Sequence, residues 1–396
     1  MEPSRFYSRC AAQWQKALDG IAPVSEPGVY GVEHGVVLPL RRREDGGKNA
    51  NLYEGGVCRD GWSFAAGLQR MRRNFQYNLQ CVRGYVPAGK VEERDERVVY
   101  GGVIFGHFGH QLIDGFTRLW HFARHHAEGL KYVFVLQPGA SPKYAQAFFA
   151  LAGLDNYEII TAPTRFKEVI CPEEAFFSGG GCHPAWLEWF DHIAATVGGG
   201  EALPDKIYLT RTQWKAQDGV GEEYFEEFFK NQGYEVIAPE TLPLADQVRH
   251  IASASRIACT MGTMAHLLAF ARSGADVTIL LRSPESVMPA QLNICEARRF
   301  DWRMVDGTAN PLPTGQSNGA FFYWPTREFY RWCDDAGLPR LTARRVGLNY
   351  EENVAEYLWR WTERFSDPAN FKYIEGRTAR DFVDSLREFY GKSAWK

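Results

Sequence analysis

The chain has 396 residues, 45% of them hydrophobic and 23% charged, with a formal net charge of −3 at pH 7. That length favours two domains over one, and the make-up is that of a globular protein. The charge balance excludes a general nucleic-acid binder, which carries a strong basic excess, and no run of about 18 uncharged apolar residues marks a membrane-spanning helix.

The start, "MEPSRFYSRCAAQWQ", has no apolar core of signal-peptide length. The eight cysteines (Cys10, Cys58, Cys81, Cys171, Cys182, Cys259, Cys295 and Cys333) form no CxxC pair and no Cys/His cluster with zinc spacing. Several lie in apolar runs, so reduced, buried thiols in a cytoplasmic protein are expected. Work at a membrane would then be peripheral, from the cytoplasmic face. Aromatics make up 14% of the residues, enough for a large core and for a cleft that stacks rings on a sugar or a base.

Residues 25–104 read as strands joined by loops, as in "GVYGVEHGVVLPL" and "ERVVYGGVIFG". Next comes "FGHFGHQLIDGFTRLWHF", Phe105 to Phe122. Placed on a helix at about 100° per residue, Phe108, Leu112, Phe116, Leu119 and Ala123 form one stripe. His107, His110, Gln111, Asp114 and Arg118 form the opposite one. A solvated face normally carries Lys and Glu. A histidine four residues from an aspartate can instead be oriented and charged by it, as a general base requires. Gly106, Gly109 and Gly115 each weaken a helix by about 1 kcal/mol relative to Ala. Close approach of a ligand or another segment would select them. The pair is expected to face a cleft.

"KYVFVLQPG" reads as a buried strand, "SPKYAQAFFALAGL" as a helix that Ser141 caps and Gly153 ends, and "YEIITAP" as a strand. After the helix in "PAWLEWFDHIAATV" a Gly/Pro-rich connection suggests a boundary near residue 200. The alternation then restarts through "KIYLTR", "GEEYFEEFFKNQGY", "EVIAPE", "LADQVRHIASA", "RIACTMG", "TMAHLLAFARSG" and "DVTILL". Strands alternating with helices predict a parallel, doubly wound sheet. Two amphipathic helices, "EENVAEYLWRWTERF" and "TARDFVDSLREFYGK", follow. The expected units are 1–200, 201–345 and 346–396.

Where "RIACTMGTMAH" passes from strand to helix at Gly262 and Thr263, free N–H groups would stand at the carboxyl end of a parallel strand, where such sheets bind anions. His266 follows on that helix. Arg211 and Lys215 come just after another strand, an arrangement suited to phosphate. Glu240 follows a third.

In order and spacing these pieces resemble glycosyltransferase family 61, in particular its bacterial capsule and lipopolysaccharide members. The resemblance rests on "HFGHQLIDGFTRLW", "KIYLTR", "GEEYFEEFF", "GYEVIAPE", "LADQV", "ASRIACTMGTMAH" and "LLAFA", from about Val103 to Leu281. The chain departs from the family pattern at Leu267, where an asparagine is common, and in "RTQWKAQDGVGEE".

The resemblance implies an α/β, GT-B-like fold: two Rossmann-like domains facing across a cleft, with the C-terminal helices packing back. It implies an inverting, metal-independent transfer of a sugar from a nucleotide donor, UDP-linked, to a hydroxyl of an oligosaccharide or glycolipid, with no further cofactor. Asp114 or His110 would be the base, the other orienting it, with His107 beside them. Arg211 and Lys215 would contact the diphosphate, Gly262 and Thr263 would cradle a phosphate that His266 could reach, and Glu240 would touch ribose or base. A nucleotide-sugar epimerase and a non-catalytic sugar-nucleotide or glycan binder are the alternatives.

Overall fold

Among the described residues, six parallel strands make the sheet of the C-terminal half. The computed structural model describes residues 4–43, 53–68, 83–198, 202–214, 219–312 and 319–366, so Lys215, Cys81 and the helix expected from "TARDFVDSLREFYGK" lie outside the described residues. The strand order is Glu235–Ile237, Lys206–Leu209, Arg256–Thr260, Asp276–Leu281, Asp301–Asp306 and Phe6–Tyr7. Such strands are covered on both faces and therefore read as apolar runs. In Asp276–Leu281 every residue after the first is buried.

One face of this sheet is covered by the helices Glu223–Asn231 and Arg327–Asp335, whose Phe228 and Phe329 rings lie 4.9 Å apart. Thr326 caps the second helix, its side chain accepting from the Phe329 N–H at 3.1 Å. The sheet order reverses between Lys206–Leu209 and Arg256–Thr260, which opens the crevice where α/β sheets take ligands.

Among the described residues, the N-terminal half holds an eight-stranded mixed sheet. Thr164–Pro172, Glu92–Ile104, Lys131–Leu136 and Tyr157–Ile159 are mutually parallel. Val29–Glu33, Val36–Arg42, Tyr53–Cys58 and Phe64–Ala66 add antiparallel pairings. The strand Thr164–Pro172, which has no periodic signature, joins the two sets, pairing parallel with Glu92–Ile104 and antiparallel with Val29–Glu33 and Val36–Arg42.

The expected division at residue 200 needs correction in two places. Phe6–Tyr7 leaves the N-terminal half and pairs with Asp301–Asp306, Phe6 opposite Met304. The helix Ala185–Val197 packs on both halves, and Phe148, Phe190 and Phe270 join in one core, with Phe270 5.8 Å and 5.0 Å from the other two rings. The helix Tyr350–Ser366 lies against a small parallel pair, Gly219–Val220 with Phe321–Phe322, and buries Tyr357 and Trp361 there.

Candidate active site

The segment after Glu92–Ile104 is not the single amphipathic helix its periodicity predicts. It makes one α-helical turn at Phe108–His110, a π-helical turn at Gln111–Gly115, a bend, and a helix at Trp120–His125. Its polar stripe is mostly buried. Gln111 is 1% exposed and its Oε1 accepts from the Phe105 N–H at 2.8 Å. Arg118 is 5% exposed and donates to the carbonyls of Pro172 and Gly67. Both groups are absorbed by backbone because buried polar atoms need partners.

His110 and Asp114 do stand together, with Nδ1 and Oδ2 2.8 Å apart. They differ in access: the histidine side chain is 33% exposed and the aspartate 3%. The expectation that both face a cleft therefore fails for Asp114, which lies beneath His110. His107 is exposed, its ring 4.9 Å from that of His110, and its Nδ1 accepts from the His110 N–H at 3.3 Å.

The glycines show why the segment is bent this way. A Cβ on Gly109 would stand 3.0 Å from Thr263 Cγ2, 3.2 Å from Thr263 Oγ1 and 3.3 Å from His266 Cδ2. Gly109 thus lets the first motif lie directly on the second. A Cβ on Gly106 would stand 3.1 Å from that of Ala140, and one on Gly115 would collide with the Gln111 amide.

At the second motif, Gly262 sits at φ +133°, a backbone that side chains disfavour. Its missing Cβ would run into the Arg282 guanidinium. The helix that follows, Thr263–Phe270, is a 3-10 helix, buried throughout after its first residue, so it has no polar face. His266 is 3% exposed, with Nδ1 3.1 Å from Gln291 Oε1. Burial, against the help of that hydrogen bond, pulls its pKa down to about 4. It is a neutral imidazole under the turn and brings no positive charge to a phosphate.

Arg211 is half-buried at the end of Lys206–Leu209, and Arg282 follows Asp276–Leu281. With Gly262 between them, three neighbouring strands direct their carboxyl ends to one place. Glu222 is 2% exposed there and accepts from the Tyr208 hydroxyl at 3.1 Å and the Arg211 N–H at 3.2 Å. Burial raises its pKa to about 7, while the Arg211 charge lowers it. Arg282 lies over the Phe321 ring at 4.6 Å. Glu240 is half-buried in the 3-10 turn Pro239–Thr241, beyond the outer strand, with Oε1 buried.

Sequence reasoning missed Glu222 and Arg282. The cue for Arg282, a cation directly after a buried strand, is the one that found Arg211. Nothing local distinguishes Glu222 from Glu223.

Among the described residues no group of three His, Cys, Asp or Glu side chains stands close enough to hold a metal ion, and no helix is long and apolar enough to cross a membrane. Asp334, of the only Asp-Asp pair, forms an ion pair with Arg340.

No curated protein matches the chain. Among solved structures it is similar to the dodecameric iron-containing heptosyltransferase TibC in complex with ADP-D-beta-D-heptose, at 11% identity and a TM-score of 0.28 over 68% of this chain and 83% of that one. A second TibC structure, from enterotoxigenic E. coli, is 12% identical at a TM-score of 0.28, over 69% of this chain and 82% of that one. Likeness at this level carries no argument about the present chain. The family model Glycosyltransferase 61 matches residues 108–278. That stretch, which holds both the His110–Asp114 pair and the Gly262–Thr263 turn, is similar to the glycosyltransferase 61 family.

Proposed function

We propose that the chain is an inverting glycosyltransferase of GT-B-like architecture. It moves a sugar from a nucleotide donor, UDP-linked, to a hydroxyl of an oligosaccharide or glycolipid in capsule or lipopolysaccharide biosynthesis, in the cytoplasm or at the inner face of its membrane. One observation carries the reading: a hydrogen-bonded His–Asp pair from one half is packed, through Gly109, on the strand–Gly–Thr turn of the other.

In this reading the more exposed His110 is the base and the buried Asp114 orients it. With Nδ1–H donating to Asp114, the other ring nitrogen, Nε2, carries the lone pair. That nitrogen takes the proton of the acceptor hydroxyl as its oxygen bonds to the anomeric carbon. The bond from that carbon to the phosphate oxygen breaks on the opposite face, and its electron pair leaves with the diphosphate. Arg211, Lys215 and the backbone at Gly262 and Thr263 meet the added negative charge, Arg211 with a fork suited to two phosphate oxygens. His266 supports the turn from below, and Glu240 faces the ribose or base.

The test is turnover with a panel of UDP-sugars, read as transfer or as slow donor hydrolysis. Removing a general base costs about 10²- to 10⁴-fold in rate. His110→Ala and Asp114→Asn should each lose at least about a hundredfold while still binding UDP, and the double variant should lose far less than the product. Two active variants with low melting temperatures would make the pair structural and defeat this reading.

A further inference from the structure

The turn that follows Lys206–Leu209 is pinned by two carboxylates. Glu222 accepts from the Arg211 N–H at 3.2 Å, and Glu226 Oε1 accepts from the Thr210 and Thr212 hydroxyls at 2.6 Å and 2.5 Å. The Thr210 N–H donates to the Ile237 carbonyl of the outer strand at 2.9 Å, and the Trp214 N–H closes the turn on the Arg211 carbonyl at 3.0 Å. These bonds give the backbone of the turn a fixed place at the carboxyl edge of the sheet.

The two large side chains of the turn are not used in holding it. Arg211 is half-buried, and its guanidinium makes no ion pair or hydrogen bond among the described residues. Glu222 meets its backbone N–H and not its side chain. Trp214 is 44% exposed, the one exposed tryptophan among the described residues, whereas Trp14, Trp186 and Trp189 are fully buried. No aromatic ring or cation among the described residues lies on its indole.

We infer that Trp214 is the platform on which the nucleobase of the donor lies, with Arg211, three residues before it, on the phosphates. A nucleotide joins a flat aromatic ring to an anion, and this turn offers an indole and a guanidinium without partners. It also stands where the sheet order reverses, beside the strand that leads to the Gly262 turn. A bilayer or an apolar protein partner would need more apolar side chains next to the indole. The turn supplies Thr212 and Gln213 instead. Stacking adds affinity without choosing among bases, because every base has a π face.

The inference rests on the nucleotide-sugar reading. The experiment titrates the full chain with UDP, ADP, GDP and inorganic pyrophosphate by calorimetry, in the parent, Trp214→Ala, Trp214→Phe and Arg211→Ala. Turnover on the UDP-sugar panel is measured alongside. An indole with no packing partners leaves no cavity when it is removed, so Trp214→Ala should melt like the parent.

Trp214→Ala should lose about ten- to a hundredfold in affinity for the best-bound nucleotide, the worth of one base stack. Trp214→Phe, which keeps a ring, should stay within about threefold of the parent. Pyrophosphate has no base, so it should bind Trp214→Ala as it binds the parent and lose affinity in Arg211→Ala. Nucleotide affinity unchanged in Trp214→Ala overturns the platform and leaves the transferase reading intact. Equal losses for nucleotide and pyrophosphate also overturn it, since the indole would then serve the phosphate turn and not the base. Nucleotide binding that depends on Trp214, with neither transfer nor donor hydrolysis, defeats the transferase reading and leaves the nucleotide site. Binding of none of the three nucleotides overturns both.

Discussion

Replacing Gly109 by alanine tests the meeting of the two motifs most directly. Gly109 has helical backbone, so alanine suits its local conformation. The obstacle is tertiary: the new methyl would stand 3.0 Å from Thr263 Cγ2 and 3.3 Å from His266 Cδ2. Carbon atoms pack best at about 3.5–4.0 Å, so one segment must retreat by roughly half an ångström. Overpacking costs about 1–3 kcal/mol, and the entropy gained on replacing glycine returns about 0.4–1 kcal/mol. The net destabilisation should stay below about 2.5 kcal/mol, a fall of no more than about 10 °C in melting temperature for a chain of this size.

The functional effect should be larger. A misplacement of about 1 Å between reacting groups can cost about a hundredfold. We expect kcat to fall between tenfold and a hundredfold while UDP affinity stays within about threefold, since the turn itself is intact. The assay pairs initial rates on the UDP-sugar panel with calorimetric UDP titration and a melting curve. Gly89→Ala is the control, because its Cβ would meet nothing within 4 Å. Normal kcat in a folded Gly109→Ala protein would refute the reasoning, because the contact would then carry no geometry that turnover needs.

Arg211→Ala should weaken UDP binding by about ten- to a hundredfold, the worth of a charged hydrogen-bonded contact, and by more than Lys215→Ala. Unchanged affinity in calorimetry removes Arg211 from the site. Activity should persist in EDTA; full loss that Mn²⁺ restores would show that side chains alone do not meet the leaving diphosphate. Glu222 has a folded-state pKa raised to about 7, so its carboxyl holds its proton more tightly folded than unfolded. The stability this adds is complete below about pH 4.5 and is lost as the pH rises through 7, up to about 3 kcal/mol. Glu222→Gln should therefore melt higher relative to the parent at pH 8 than at pH 5, and a pH-independent difference would refute the buried carboxyl.

Local signals were legible where the cause is local. The four-residue step from His110 to Asp114 brings the side chains to 2.8 Å even though the segment makes a π turn between them, because either helical turn leaves that spacing on one side. Gly153 ends Lys143–Ala152 at φ +71° as its position suggested, since glycine takes that backbone without strain. The strands after residue 205 are apolar runs because a parallel sheet buries both faces, and that much can be read from composition.

Other features exist only in the folded chain. Two residues, Phe6–Tyr7, carry too little pattern to announce a strand, and the Asp301–Asp306 edge gives them their place. The polar stripe through Gln111 and Arg118 looks solvent-facing by period, yet carbonyls brought from Gly67 and Pro172 bury it. Glu222 and Glu223 are alike in sequence, and only the crevice between Tyr208 and Arg211 separates them. The contact of Gly109 with Thr263 joins segments far apart in the chain. Periodicity reports which side of an element is apolar; what covers the other side is decided by packing across the whole molecule.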